Sequence, residues 1–377
     1  RSLMDALLSG SSDTKQSEDL FGEVEEDRSA LPLDAAADAQ PVIDAEGEAP
    51  LTESRTLVLS DFVPPRADLT EKLVRIAYRL GVGGATLTAP FRKPARPRLL
   101  ATVETALLGD RVTGMALRAG HFMINGMKAP ISEVEYQSSS RATPPFERMI
   151  HGFAWLRDLS AAGQREQCVE TAERIAGLWL KANPKPGKCA AWYVDYVSMR
   201  LMAWLVHAPL LLSGKDEALR PQMLATIDET ARWLDREVRR TPDPLGAVLG
   251  WGALIAAGLL LPQGKPRRLY AEAGLVAALG DFVGEDGGAL SRSPIAQMDV
   301  IAMLVDLEAC YKAVDRDLPQ ALCLMRELLV PPILALRHGD GALGNWQGTG
   351  AMRADRLAAL IDASTVRTRP LNDCSST

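Results

Sequence analysis

A chain of 377 residues with 47% hydrophobic and 5% aromatic residues is long enough to bury a sizeable core without a disulfide framework. Its five cysteines, at 168, 189, 310, 323 and 374, show neither Cys-x-x-Cys nor Cys/His spacing, so they read as buried or idle thiols, and neither metal nor cofactor is expected. The net charge of −6 joins two unlike parts: residues 1–54 hold 3 Lys/Arg against 14 Asp/Glu, a balance of −11, and the rest holds 39 against 34, a balance of +5. So small a surplus suits an anionic partner or a merely solvated surface, and no nucleic-acid partner is expected.

Residues 1–54, with runs such as Glu23-Val24-Glu25-Glu26-Asp27, combine acidity with few aromatics and predict a disordered acidic segment. Arg1 to Leu8 lack an apolar core of signal-peptide length. Thr70 then predicts the cap of a helix through Leu80, with Leu69, Leu73, Ile76 and Leu80 on one stripe, Lys72, Arg75 and Arg79 on the other side, and Gly81 as its stop. The basic, proline-broken stretch Phe91 to Arg98 reads as a linker. Residues 99–136, punctuated by Gly114, Gly120 and Gly126, predict short strands or a glycine-rich packing segment. Residues 55–143 thus form an N-terminal helix with a short β/linker region.

From Pro144 the apolar spacing is persistently helical, over about 145–160, 164–182, 192–213, 217–239, 245–261, 267–281, 294–314, 317–337 and 352–365. Short turns such as Pro184-Lys185-Pro186-Gly187 and Pro242-Asp243-Pro244 favour antiparallel helix hairpins. Pro244 to Gly264 carries no charge over 21 residues, but its five glycines and amphipathic neighbours make it a buried inner helix rather than a transmembrane segment. The expected architecture is all-α: a bundle, a solenoid or a closed ring of helix pairs.

Several phrases then resemble the heparinase II/III-like family, in the form common in alphaproteobacteria. They are Phe146-Glu147-Arg148 leading to His151-Gly152-Phe153-Ala154-Trp155-Leu156-Arg157-Asp158-Leu159, Trp192 with Arg200-Leu201 and Trp204, and Ala256-Ala257-Gly258-Leu259-Leu260-Leu261-Pro262. Asp286-Gly287-Gly288 with Ser291-Arg292-Ser293-Pro294, and His338-Gly339-Asp340-Gly341 running to Trp346-Gln347-Gly348, complete the set. The resemblance covers about 70–370 and implies an incomplete α/α toroid over 144–370, followed in the family by a β-sandwich. Residues 371–377 then read as a truncated tail. It further implies a polysaccharide lyase acting by β-elimination on an acidic, uronate-containing glycan, in a periplasmic setting. The alternative is a non-catalytic helical module that binds glycans or partners.

Such a lyase needs a group that neutralises the uronate carboxylate, a base and an acid. The family's Asn would fall near Leu245-Gly246-Ala247, where none stands, and Ala296 and Gln297 occupy the places of its Tyr and His. The catalytic candidates that remain are His151 and Tyr196. Trp155, Arg157, Trp192, Arg200, Arg292, His338, Asn345 and Trp346 are the expected substrate-binding residues: indoles for sugar stacking, guanidiniums for carboxylates, Arg292 at a helix start, and the last three in a glycine-rich loop.

Overall fold

The computed structural model describes residues 57–64, 66–88, 95–124, 126–137, 143–344 and 353–368. The expectations for the acidic segment 1–54, for Asn345 and Trp346, and for the tail 371–377 lie outside the described residues. Within them the chain is all-α apart from one hairpin, with α1 (Leu69–Arg79), α2 (Gly84–Thr88), α3 (Arg111–Arg118), β1 (His121–Ile124) and β2 (Met127–Pro130) preceding the main helical array. That array comprises α4 (Pro144–His151), α5 (Trp155–Ser160), α6 (Arg165–Ala182), α7 (Val194–Val206), α8 (Ala208–Leu212), α9 (Leu219–Glu237), α10 (Pro244–Leu260), α11 (Lys265–Phe282), α12 (Pro294–Lys312), α13 (Gln320–Ala335) and α14 (Ala354–Ser364). It forms an incomplete α/α toroid.

Helix α10 is its hub. It carries no charge, and fourteen of its residues are buried, so every face needs an apolar neighbour; α7, α9, α11 and α12 supply them. Close approach is sustained by glycine: a Cβ on Gly274 of α11 would stand 2.4 Å from the Trp251 ring of α10. No described helix is long and apolar enough to cross a membrane, and the charge-free stretch is core.

Several local expectations shift. The helix of 145–160 is two helices, because Phe153 adopts φ 56° and drops its ring among Trp155, Trp179 and Trp204, whose edge contacts offset the backbone strain. Asp68, rather than Thr70, caps α1, accepting from the Leu69 N–H at 2.7 Å. Residues 99–136 contain the short antiparallel hairpin β1–β2 and also the helix α3, which the glycine pattern had not suggested. Asp110 caps α3 by accepting from the N–H groups of Val112 and Thr113, and Gly114 lets the helix lie against α5, since a Cβ there would meet the Asp158 carbonyl at 2.0 Å.

Two stability outcomes follow from these contacts. Leu254→Asp, which places a carboxylate in the wholly buried middle of α10, should cost about 4 kcal/mol or more, read as loss of the cooperative unfolding transition. Gly114→Ala should cost about 1–3 kcal/mol in denaturant unfolding, by forcing α3 off α5.

Candidate functional site

The positions at which the family resemblance puts catalytic groups lie in the first turns of α10 and α12. Around them meet the N-termini of α7 and α10, the second turn of α12, and α4. The convergence is tight: a Cβ on Gly246 of α10 would lie 2.9 Å from Asp243 Oδ2 and 3.5 Å from the Asp195 nitrogen of α7. Arg148 of α4 reaches across to Asp299 of α12, its Nη1 donating to Oδ2 at 2.7 Å and its Nη2 to Oδ1. Tyr193 and Tyr196 stack alongside with ring centroids 6.3 Å apart.

The electrostatics of this end are acidic. Asp299 pairs with Arg148, whose guanidinium also feels the charge of Asp195, and Asp195 in turn interacts with Asp243 and Glu147. Burial, reinforced by Asp195, raises the Glu147 carboxyl above its ordinary value; burial, reinforced by Asp243, does the same for Asp195. Burial together with the Asp195 and Glu147 charges pushes the Tyr196 hydroxyl up to about 12. That holds it protonated at neutral pH, the reverse of what a general base needs.

The residues at the α12 positions to which the resemblance points have structural roles. Ala296 is buried. Gln297 is completely enclosed: its Nε2 donates to the carbonyls of Gly287 (3.1 Å) and Leu329 (2.6 Å), and its Oε1 accepts from the Ala289 N–H (2.9 Å). It thereby pins the Gly287–Ala289 turn to α13.

The expected binding residues separate into distinct environments. His151, Trp155, Trp192 and Arg200 do come together, yet inside the protein. The Arg200 guanidinium lies 4.4 Å from the Trp179 ring centroid, 5.1 Å from that of Trp192 and 5.4 Å from that of Trp204. Its Nη1 donates to the carbonyls of His151 (2.7 Å) and Ala191 (2.9 Å), and desolvation lowers its pKa to about 9. His151 Nδ1 accepts from Trp179 Nε1 at 3.1 Å, and burial, aided by Arg200, depresses its pKa to about 4. In this conformation neither residue nor Trp155 presents a surface to a glycan; the cluster is a cation held in an indole-lined core.

Arg157 is committed elsewhere, donating to the Leu107 carbonyl at 3.1 Å and pairing with Asp306 of α12. Arg292 is exposed in a left-handed turn with φ 54°, its N–H already donating to the Ala289 carbonyl at 2.8 Å; the cap of α12 is Ser293. His338 is exposed in the turn closed by Gly341, apart from the other candidates. Phe153, Trp179 and the acidic groups around Arg148 are the participants that sequence reasoning missed. Among the described residues no group of three or more His, Cys, Asp or Glu is arranged to hold a metal.

No family model matches the chain. A curated protein of Caulobacter vibrioides, FtsZ-localized protein C, is 24% identical over 273 residues, covering 70% of this chain and 45% of that protein. The chain thus spans about half the length of the curated relative it matches. Among solved structures, heparinase III superposes with a TM-score of 0.50 at 14% identity, covering 72% of this chain and 46% of that one. Heparan sulfate lyase HepC from Pedobacter heparinus gives a TM-score of 0.45 at 15% identity, covering 74% and 48%. The heparinase III likeness shows the lyase-like helical fold.

The buried cluster makes two checkable demands. Arg200→Ala should remove about 3 kcal/mol of stability, since it opens a cavity among the indoles and removes two buried hydrogen bonds. His151 favours the neutral form in the fold, so its contribution is intact above pH 6.5 and is lost as pH falls toward 4. A His151→Gln variant, compared with wild type by thermal unfolding at steps across that window, should lose less stability on acidification; parallel pH profiles would contradict the assignment.

Proposed function

We propose that this chain is a non-catalytic interaction module built on a polysaccharide-lyase toroid, working within an FtsZ-localized assembly. The observation that carries the reading is the fate of the family's catalytic end. Gly246 and Ala296 offer no polar atom beyond their backbones, and Gln297 has its amide group engaged by three backbone partners. The acidic surplus beside them repels a polymer of uronates rather than neutralising it. The name of the Caulobacter relative, which matches across most of this chain, supplies the setting.

The other reading, β-elimination on an acidic polysaccharide with His151 and Tyr196 as catalytic groups, is supported by the fold likeness alone. In its favour Tyr196 lies at the end where the family resemblance puts catalytic groups; against it, that hydroxyl is held protonated and His151 is enclosed.

The experiment is capture of the full chain by immobilised, purified FtsZ, with an unrelated protein of similar acidity as control. Saturable capture of this chain and not of the control is expected. Absence of capture, combined with release of unsaturated uronate product from a glycan, would reverse the assignment.

A further inference from the structure

We propose that the outward face of α1 is a docking seam for an amphipathic helix with acidic flanks. The inference stands apart from the functional reading above, because it rests on a different element. Helix α1 is fixed to the body by its opposite side: the Tyr78 hydroxyl donates to Asp235 Oδ2 at 2.8 Å, Arg267 Nε donates to the same carboxylate at 3.0 Å, and the Tyr78 ring packs against Tyr270 of α11 with centroids 5.5 Å apart. Anchored so, α1 turns its apolar stripe to solvent. Leu69 is 73% exposed, Leu73 67%, Ile76 54% and Leu80 78%. Four large aliphatic side chains left in water on three turns of one helix form a patch that a soluble surface does not tolerate without a use.

The spacing identifies the occupant. Steps of four, three and four residues are those of a coiled-coil seam, which a second helix fills with its own apolar knobs. The stripe is narrow and lacks Trp or Phe, unlike the broad, aromatic-bearing faces of helices that lie in a lipid interface. One edge of the seam carries Lys72 and Arg79, neither with an ion-pair partner among the described residues; the other carries Thr70 and Ala77. Glu71 and Arg75 lie half-buried toward the body, and Asp68 is occupied as the cap. The accessible rim is therefore cationic. A second copy laid antiparallel would set Lys72 and Arg79 against the same residues of its mate, and a parallel copy would leave them facing Thr70 and Ala77 without compensation. A helix with Glu or Asp beside its apolar stripe fits both the shape and the charge. Three turns make a small contact, so binding is weak and falls with salt.

The test uses the full chain and two synthetic helical peptides with leucines at 3–4 spacing, one flanked by Glu and the other by Lys, followed by fluorescence anisotropy at low and high salt. The Glu-flanked peptide should bind about tenfold more tightly or better at low salt. Leu73→Asp should abolish that binding with circular dichroism unchanged, and the double variant Lys72→Glu/Arg79→Glu should reverse the preference. Equal or absent binding of the two peptides overturns the proposal. So does a concentration-dependent dimer lost in Leu73→Asp, which assigns the seam to a second copy, or flotation with phosphatidylglycerol vesicles lost in the same variant, which assigns it to lipid.

Discussion

The constraint on which the architecture turns is the burial of α10. A helix of seventeen residues without one charge has no face fit for water, so the chain must surround it, and a ring of antiparallel helix pairs is the economical way to do so. Its glycine-rich sequence sets the spacing. With small residues on the interface, neighbouring helices approach closely enough for the Trp251 ring to lie over Gly274, and the inner layer is dense rather than hollow. The toroid end is built from that packing, because the first turns of α7, α10 and α12 are brought together only when their helices are.

A second consequence concerns Arg200. A guanidinium in the core, with no carboxylate beside it among the described residues, is sustained by three indole faces and two backbone carbonyls. Those carbonyls belong to the last residue of α4 and to the turn before α7, so one side chain ties together the two segments that carry Arg148 and Asp195. The polar end therefore depends on a buried cation that never reaches it. At that end Arg148 is paired with Asp299 beside Asp195, and the Gln297 amide serves as a clamp on the Gly287–Ala289 turn.

Much of the helical order was legible, and for physical reasons. Long amphipathic stretches bounded by Pro and Gly mark α6, α9, α11 and α12 to within a few residues, and a charge-free stretch declares α10. The break between α4 and α5 was hidden, since it depends on Phe153 finding, beside its neighbour Trp155, the rings of Trp179 and Trp204 contributed by distant segments. The spacing on α7 does not tell which way a helix side points: Tyr196, Arg200 and Trp204 follow at steps of four, within about 80° of one another around the helix, and that side runs from the rim into the core. Tyr196 stays at the rim while the other two turn inward, and Trp192 lies in the short helical turn before α7 begins. The acidic cluster was invisible because Glu147, Asp195 and Asp299 come from three helices and Asp243 from the cap of a fourth, and each alone reads as an ordinary charge.

The central proposal is that the acidic end of the toroid is not a site for an acidic glycan. It is tested most directly by calorimetric titration of the full chain with heparan-type and other uronate oligosaccharides at low ionic strength, where any charge attraction is strongest. The account predicts no saturable heat and no rise in ultraviolet absorbance from unsaturated product. Saturable binding that is lost on Arg148→Ala, with unfolding behaviour unchanged, would contradict it.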